Sequence, residues 1–333
     1  MSEQNLRCVL AERPTGWVEA RHFRFERAPL PDPGDGEVLV RNRWLSLDPY
    51  MRGRMSEVKS YADPVALGAV MVGGTAGEVI ASRDAQFKPG DEVVGMLGWQ
   101  LYGVAAARML RKVDTRQVPL AAYLGPAGMP GVTAWYGLNA LCAPKAGETL
   151  VVTAAAGAVG SVVGQLAKAK GCRVVGVAGG EPKCRYVVQE LGFDACVDYK
   201  AGDLIANLKA ALPRGVDCLF ENVGGEIFDA LLARTNAFGR IALCGMIADY
   251  NATDPFRMKN VRAVLINRLM MQGFIVSDHM DQWPAAMQEL CRMLAAGQLK
   301  YRETVAQGLE SAPEAFIGLL QGRNLGKQLV KLV

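Results

Sequence analysis

Residues 151–170 read VVTAAAGAVGSVVGQLAKAK, and this stretch decides the fold of the chain. The apolar run Leu150–Thr153 predicts a buried strand, and the small residues at 154–160 predict a tight turn. The apolar positions that follow have the spacing of one helix face: Val159, Val162, Val163 and Leu166. Strand, turn and helix in this order form the context that a dinucleotide fingerprint requires.

The turn favours phosphate binding for a physical reason. Gly160 has no side chain, so the backbone and a pyrophosphate can approach closely there. The start of the next helix offers unpaired N–H groups and the positive end of its dipole. The fingerprint is degenerate, because Ala155 stands where the first glycine of GxGxxG is expected. The alternative is a small-residue turn that only lets a helix pack on a sheet.

Composition sets the class of protein. The chain has 333 residues, of which 50% are hydrophobic and 21% charged, as in soluble globular proteins of two domains. The net charge is +4 without a basic run, which argues against nucleic acid as partner and suits an anionic cofactor. No apolar run reaches membrane-spanning length and no signal peptide is evident, so we expect a cytoplasmic protein.

Cysteine and histidine usage excludes several chemistries. The eight cysteines form no CxxC motif or metal knuckle, and most lie in apolar surroundings, as expected of reduced core residues. The two histidines, His22 and His279, are too few for a His-rich metal centre or an ordinary Ser-His hydrolase.

The pattern of elements changes along the chain. Residues 1–125 have short strands interrupted by Pro and Gly, which predicts a small barrel or sandwich. A helical transition follows at Gly125–Leu141. From Gly147, strands and helices alternate, which predicts an α/β fold with a doubly wound parallel sheet. The predicted strands there are Thr149–Thr153, Arg173–Ala178, Cys196–Asp198, Val216–Glu221, Gly239–Gly245 and Met271–Ser277. The tail predicts a helix at Ala312–Leu320 and a strand at Gly326–Val333.

The second strand of this region indicates which dinucleotide is bound. An NAD enzyme usually ends that strand with an acid that binds the adenosine ribose. Here it ends Ala178-Gly-Gly180, which removes repulsion against a 2′-phosphate. Lys183 offers that phosphate a cation and Tyr199 a hydroxyl, so we expect NADP. The alternatives are an exposed helix-start lysine and a half-buried surface aromatic.

Three further strand ends lie at the carboxyl edge of the predicted sheet, where ligands bind in doubly wound folds. They are Glu221–Gly225, Cys244–Ile247 and Phe274–Val276. Their glycines permit backbone approach to ribose and nicotinamide. Each alone is typical of a plain strand-to-helix turn, but together with a fingerprint they predict one binding edge.

Several motifs resemble one family. They are 154–168 (AAAGAVGSVVGQLAK), 220–225 (FENVGG), 238–245 (FGRIALCG), 322–327 (GRNLGK), 47–52 (LDPYMR), 98–100 (GWQ) and 124–134 (LGPAGMPGVTA). The chain resembles the medium-chain dehydrogenase/reductase superfamily, and within it the zinc-independent branch of leukotriene hydroxydehydrogenase, prostaglandin reductase and curcumin reductase. The resemblance covers essentially the whole chain.

The resemblance implies a Rossmann domain, residues 126–299, inserted in a GroES-like β-rich catalytic domain of residues 1–125 plus 300–333. It also implies NADPH, held in the cleft between the two domains. The residues it implies around the pyrophosphate are Gly157, Ala158, Val159 and Gly160. Those it implies at the 2′-phosphate are Lys183 and Tyr199. Those it implies around the nicotinamide half are Asn222, Cys244, Gly245, Met246, Ile247, Tyr250, Phe274, Ile275, Val276 and Asn324.

Zinc-dependent relatives use a Cys, a Gly-His-Glu motif and a four-Cys lobe, and this sequence contains none of the three. Gly73–Gly77 occupies the region of the Gly-His-Glu motif. We therefore expect no metal and no alcohol oxidation through a metal-bound alkoxide.

Conjugate reduction suits a chain without metal or an acid–base histidine. Hydride adds to the β-carbon of an α,β-unsaturated ketone or aldehyde, and charge moves to the carbonyl oxygen, which needs hydrogen-bond donors. Tyr250 and Tyr50 are the predicted donors, since a tyrosine near its reference pKa of about 10 is neutral at pH 7. The alternatives are a purely cofactor-positioning Tyr250 and an apolar wall at Tyr50.

The expected substrate pocket is apolar, and its candidate residues are Trp44, Tyr50, Met51, Trp99 and Met129. Each of them is equally compatible with a position in the core. Three functions therefore stay open: an NADPH-dependent enone or alkenal reductase, a quinone reductase, and a non-catalytic NADPH-binding protein. The last sheet strand leaves an apolar edge, which related enzymes commonly pair, so we expect a homodimer.

Overall fold

The structure is a computed structural model that describes residues 4–254 and 256–333. Its strands are β1 (Gln4–Leu10), β2 (Phe23–Pro29), β3 (Glu37–Ser46), β4 (Thr75–Ser82), β5 (Glu92–Gly95), β6 (Tyr102–Ala106), β7 (Arg111–Lys112), β8 (Thr149–Thr153), β9 (Arg173–Ala178), β10 (Ala195–Asp198), β11 (Val216–Glu221), β12 (Thr235–Leu243), β13 (Met270–Gly273), β14 (Glu303–Gln307) and β15 (Lys327–Lys331). Its α-helices are α1 (Tyr50–Arg54), α2 (Met129–Tyr136), α3 (Gly160–Ala169), α4 (Glu181–Gln189), α5 (Leu204–Ala211), α6 (Gly225–Leu232), α7 (Arg262–Ile266), α8 (Trp283–Ala295) and α9 (Ala312–Leu320).

One compact unit consists of the chain up to Gly125 together with Glu303–Val333. Its main sheet has the order β14-β15-β3-β4-β5-β7, with β6 paired to β3, and only β14 and β15 run parallel. Trp99 is fully buried in its core, stacked on Phe23 at 5.3 Å and edge-on to Phe316 at 5.7 Å. Met51 is also fully buried in this cluster. Met51 and Trp99 are therefore core residues, which is the alternative that sequence analysis left open for them.

The second unit, Pro126–Arg302, contains a fully parallel sheet in the order β10-β9-β8-β11-β12-β13. This is the doubly wound order of a Rossmann domain, and it confirms the predicted fold class. All five residues of β8 are buried, as expected for a strand covered by helices on both faces. The strand order reverses between β8 and β11, so a ligand crevice is expected beyond the carboxyl ends of these two strands.

The last strand of the parallel sheet is shorter than predicted. We expected Met271–Ser277, but β13 ends at Gly273 and a 3₁₀-helix begins at Val276. The chain leaves the sheet because the buried ring of Phe274 packs on Phe220 and Tyr136, at centroid distances of 6.2 and 5.6 Å. All four residues of β13 are exposed.

Within the described ranges, 4–254 and 256–333, no helix combines the length and apolar character needed to cross a membrane.

Candidate cofactor site and catalytic residues

The turn after β8 brings backbone atoms unusually close together. A Cβ on Gly160 would lie 2.4 Å from the carbonyl oxygen of Ala154, so only glycine fits without a shift of the backbone. The N–H of Ser161, in the first turn of α3, donates to the carbonyl of Gly157 in the turn at 3.0 Å. Residues 157–159 are half-exposed at this helix start. The turn therefore offers an accessible N-terminal end to an anion.

Ala155, which replaces the first glycine of the fingerprint, is accommodated by the neighbouring strand. It is fully buried and its N–H donates to the carbonyl of Val177 in β9 at 3.1 Å. The residue facing it in β9 is Gly176, where a Cβ would lie 2.7 Å from the Cβ of Ala155. The methyl group therefore occupies space that Gly176 leaves open, and the degenerate motif keeps the geometry of the turn.

Two lysine side chains lie near the ends of β9 and β10. Lys183 is half-buried in the first turn of α4, and Tyr199 directly follows β10. The Tyr199 hydroxyl lies 2.7 Å from where a Cβ of Gly179 would be, so ring and glycine loop are in contact. Lys200 places its ammonium 6.0 Å from the Tyr199 ring centroid. Burial, and then the charge of Lys200, lower the pKa of Lys183, and an anion beside both lysines would relieve this repulsion.

Asp198 holds this region in place. Its Oδ1 accepts from the N–H of Gly180 at 2.7 Å and from the N–H of Lys200 at 2.9 Å. One carboxylate oxygen thus joins the loop before α4 to the end of β10. Sequence reasoning missed Asp198 and Lys200, although Lys200 is adjacent to Tyr199 and a search for further cations at the same strand end would have found it.

Polar groups from β8 and β11 meet at the strand-order reversal. The Asn222 Nδ2 donates to the carbonyl of Thr153 at 2.8 Å, and the Asn222 N–H donates to Thr153 Oγ1, also at 2.8 Å. Thr153 Oγ1 in turn donates to Glu221 Oε1 at 3.0 Å. Asn222 is therefore fixed against β8, at the position where sequence analysis expects the nicotinamide half.

Glu221 is a fully buried carboxyl group that sequence analysis placed only within a strand end. Its Oε1 also accepts from the N–H groups of Val223 and Gly224, at 2.5 and 2.8 Å. Its Oε2 is buried and has no hydrogen-bond partner among the described residues. Burial raises the pKa of Glu221 to about 7 despite these donors.

The loop after β12 joins the same edge. The N–H groups of Cys244 and Gly245 donate to the carbonyl of Glu221 at 2.8 and 3.2 Å. The Tyr250 hydroxyl lies 3.2 Å from where a Cβ of Gly245 would be, so the tyrosine reaches back to the strand end. Met246 and Ile247 lie between them, half-buried. Burial raises the pKa of Cys244 to about 12, so this thiol stays neutral at physiological pH.

The predicted cofactor-binding residues after β13 differ in their exposure. Phe274 and Val276 are buried, and Ile275 is half-buried. Because the Phe274 ring lies in the core, only its backbone is available to a ligand. The other predicted residues of this unit follow β8, β9, β10, β11 and β12 at the same carboxyl edge.

Two predicted residues, Tyr50 and Asn324, belong to the first unit. Tyr50 begins α1 and packs against the core cluster, and its hydroxyl is buried without a partner in the described part of the chain. Burial, and then the charge of Asp48, raise the pKa of Tyr50 far above its ordinary value, so its hydroxyl stays protonated. The Asn324 Nδ2 donates to the carbonyl of Gly326 at 2.8 Å.

A buried ion pair in the same unit went unpredicted. Lys327 Nζ donates to Asp48 Oδ1 at 2.6 Å and to the carbonyl of Leu47 at 2.7 Å, and Ser46 donates to the other oxygen of Asp48. The side chains of Lys327 and Asp48 are 3% and 9% exposed. The two residues are 279 positions apart, so nothing local in the sequence predicts their contact.

Comparison with known proteins gives consistent matches. Residues 7–113 match a family described as the N-terminal domain of oxidoreductase, and residues 158–292 match the zinc-binding dehydrogenase family. In the described part of the chain, no three His, Cys, Asp or Glu side chains are grouped so as to hold a metal ion.

Individual relatives cover nearly the whole chain. The chain is 46% identical to the NADPH-dependent curcumin reductase of Escherichia coli, over 99% of this chain and 97% of that protein. It is 44% identical to the NADP⁺-dependent 2-alkenal reductase of Nicotiana tabacum, over 98% and 97%. The crystal structure of CurA from Vibrio vulnificus in complex with NADPH superposes with a TM-score of 0.94 at 46% identity, over 98% and 99%.

Proposed function

The chain belongs to the medium-chain dehydrogenase/reductase superfamily, in the branch of curcumin reductase and 2-alkenal reductase, and we propose that it reduces the carbon–carbon double bond of α,β-unsaturated ketones and aldehydes with NADPH. The observation that carries the choice of cofactor is the group formed by Lys183, Lys200 and Tyr199 beside the end of β9, where the sequence Ala178-Gly-Gly180 has no acidic residue. NADPH supplies the hydride when it is bound.

The residues of the second unit fit this cofactor. The backbone cradle at Gly160 would be filled by any side chain, and it suits the pyrophosphate together with Gly157, Ala158 and Val159. Lys183 and Tyr199 bind the 2′-phosphate, with Lys200 as an additional cation. The groups of this unit proposed to surround the nicotinamide half are Asn222, Cys244, Gly245, Met246, Ile247, Tyr250, Phe274, Ile275 and Val276.

Tyrosine hydroxyls are the proposed donors to the negative charge that develops on the substrate oxygen. Hydride addition to the β-carbon moves negative charge to the carbonyl oxygen, where a neutral hydroxyl donates best. The buried Tyr50 hydroxyl has a proton to donate and no partner in the described residues, which supports a role toward a ligand. Tyr250 holds its hydroxyl beside Gly245 at the cofactor edge.

The enzyme is also proposed to act without metal, in the cytoplasm, as a homodimer. The exposed strand β13 supports the dimer, because it is an edge strand of the parallel sheet within the described residues and its Met270 and Met271 are 60% and 41% exposed. Sedimentation at micromolar concentration tests the assembly, and a monomer there would contradict it.

Charge removal at the 2′-phosphate site tests the proposal most directly. We expect Lys183→Gln to raise the Kd of NADPH about tenfold and to leave that of NADH unchanged, since one charge-assisted phosphate contact is lost. Lys209→Gln, which removes an exposed lysine of α5, is the matched control. Equal binding of NADPH and NADH by the wild-type protein would overturn the assignment of the cofactor.

A substrate panel separates the possible activities. We expect oxidation of NADPH with 4-hydroxynonenal-type alkenals and enones to exceed that with naphthoquinones. A preference for naphthoquinones would make the protein a quinone reductase, and binding without turnover on either panel would make it a non-catalytic NADPH-binding protein.

A further inference from the structure

The hydroxyl group of Thr153, the last residue of β8, is bonded on both sides to the segment that follows the neighbouring strand β11. Its Oγ1 accepts from the N–H of Asn222 at 2.8 Å and donates to Oε1 of Glu221 at 3.0 Å. Thr153 and Glu221 are both fully buried, so solvent cannot replace either bond. Residues 221–224 are called the strand-end segment below, and the hydroxyl ties this segment to β8.

The hydroxyl acts where the backbone pairing of the two strands ends. The parallel ladder between β8 and β11 joins residues 150–152 to residues 218–220, and Thr153 and Glu221 come directly after it. Beyond the ladder, the Thr153 hydroxyl is bonded to the strand-end segment, and Asn222 Nδ2 donates to the carbonyl of Thr153 at 2.8 Å. Side chains therefore continue an attachment that backbone groups provide in the rest of the strand pair.

The loop after β12 is in turn attached to the strand-end segment. The N–H groups of Cys244 and Gly245 donate to the carbonyl of Glu221 at 2.8 and 3.2 Å, and the N–H of Ala248 donates to the carbonyl of Val223 at 2.8 Å. A displacement of the strand-end segment therefore also displaces this loop. The segment and the loop together contain most of the residues that are proposed to surround the nicotinamide half of the cofactor.

We propose that Thr153 is a positioning residue for hydride transfer, whose hydroxyl holds the strand-end segment, and through it the loop after β12, where the nicotinamide half of NADPH needs them. The proposal rests on the proposed function and deepens it. Thr153 acts through Asn222 and Glu221 rather than on the cofactor itself. The 2′-phosphate group is assigned to the ends of β9 and β10, which Asp198 holds together independently of this hydroxyl.

A pair of substitutions separates the hydroxyl from the volume of the side chain. Thr153→Val replaces the hydroxyl with a methyl group, which neither donates nor accepts a hydrogen bond. A methyl carbon needs about 3.5–4.0 Å to its neighbours, more than the 2.8 Å between Oγ1 and the nitrogen of Asn222, so the strand-end segment has to move away from β8. Thr153→Ser keeps the hydroxyl and should keep the segment in place.

Thr235→Val is the matched control for the loss of a buried hydroxyl group. Thr235 is the first residue of β12, at the opposite edge of the same sheet, and it is 2% exposed. Its Oγ1 donates to the carbonyl of Leu231 at 2.8 Å. This variant therefore loses one buried hydrogen bond without touching the strand-end segment.

Hydrogen exchange of the nucleotide-free protein tests the structural part of the proposal. We expect the backbone amides of residues 222–224 to exchange at least about tenfold faster in Thr153→Val, because their attachment to β8 is lost, and at the wild-type rate in Thr153→Ser and Thr235→Val. Unchanged exchange in Thr153→Val would overturn the proposal. So would an equal acceleration in Thr235→Val, because the effect would then be a general loss of stability.

Kinetics and binding test the consequence for the reaction. We expect kcat for enone reduction to fall at least about tenfold in Thr153→Val, because misplaced reacting groups slow the chemical step, and to be near the wild-type value in Thr153→Ser and Thr235→Val. Adenosine 2′,5′-bisphosphate carries the 2′-phosphate but no nicotinamide, so its Kd should be unchanged in all three variants, which also shows that they are folded.

Two results would contradict this positioning role, namely an unchanged kcat in Thr153→Val, or a loss of bisphosphate binding in that variant equal to its loss of kcat. If the wild-type protein neither prefers NADPH to NADH nor reduces enones, the proposed function itself fails. Hydrogen exchange then still decides whether the Thr153 hydroxyl holds the strand-end segment, so the two failures are distinguishable.

Discussion

The two units of this molecule bury polar groups in different ways. In the second unit, one oxygen of the buried Glu221 accepts from the Thr153 hydroxyl and from two backbone N–H groups that follow it in sequence. Its other oxygen has no hydrogen-bond partner in the part of the chain that the structure describes. In the first unit, Asp48 is buried against Lys327, a partner from the far end of the chain. Glu221 is held by neutral hydrogen-bond donors, whereas Asp48 is held by a cation. The comparison teaches that burial alone does not decide what a carboxylate does.

The largest effect is expected from removing the partner in the first unit. Lys327→Met leaves Asp48 as an uncompensated buried charge, so we expect a loss of about 3–5 kcal/mol in the free energy of unfolding. The measurement is urea denaturation at pH 7. In the double variant Lys327→Met/Asp48→Asn the buried charge is gone, and we expect it to be more stable than Lys327→Met. Equal stability of the two would show that the pair is not coupled.

The next largest effect concerns the pH dependence of stability that Glu221 causes. The pKa of Glu221 in the folded state is about 7, above its value of 4.5 as a free group, so the folded state binds the extra proton between these pH values. Its contribution to stability is therefore present below pH 4.5 and is lost as the pH rises to 7, by about 3 kcal/mol.

Glu221→Gln should abolish this dependence. We expect the stability of Glu221→Gln relative to wild type to rise between pH 4.5 and 7 and to stay constant above, as measured by denaturation of the NADPH-free protein. The Cys244 thiol, which faces Glu221, stays neutral throughout because burial raises its pKa to about 12. A constant difference across this range would mean that Glu221 is ionised throughout.

A smaller effect on stability is expected from adding a methyl group where Ala155 and Gly176 share space. Gly176→Ala places a Cβ 2.7 Å from that of Ala155 and 3.0 Å from Val187 Cγ1, so we expect a loss of about 1–3 kcal/mol in stability. Ala155→Gly in the same chain removes one of these clashes and should restore part of the loss. Thermal denaturation of the single and double variants measures this, and additive losses would contradict the idea of a shared space.

The smallest effect is expected at a surface ion pair of the first unit. Arg323 and Glu314 are 2.9 Å apart, but their side chains are 61% and 70% exposed. Arg323→Gln should change the free energy of unfolding by less than about 0.5 kcal/mol. Comparing this loss of stability with that of Lys327→Met shows how much burial adds to the contribution of an ion pair. A loss of stability larger than about 0.5 kcal/mol in Arg323→Gln would contradict the expectation that an exposed ion pair contributes little.

The fold and the family could be predicted from the sequence because their signals are local. The run of small residues before Gly160, the alternation of strands and helices, and the strand-end motifs each lie within a few positions, and the predicted family and fold class are confirmed. The end of β13 was predicted wrongly because Phe274 looks like a strand residue until the core that accepts its ring is known.

The parts of the site that escaped prediction depend on distant contacts. Lys327 and Asp48 meet only through the arrangement of the strands, and no spacing in the sequence predicts their contact. The sequence left Trp99 and Met51 open between a pocket and the core, because an aromatic or apolar side chain near a motif fits both, and their burial identifies them as core residues. The roles assigned to Tyr50, Tyr250 and the residues around the cofactor stay predictions.

The contact between Ala155 and Gly176 has a consequence for how such chains are recognised. The first glycine of the fingerprint supplies a volume, and here that volume is provided by a residue on the adjacent strand. The two positions therefore form a single steric unit, in which either member can be the small one. A pattern that scores one strand and its turn misses half of this unit, whereas a pattern that reads both strands together would accept the exchange as equivalent.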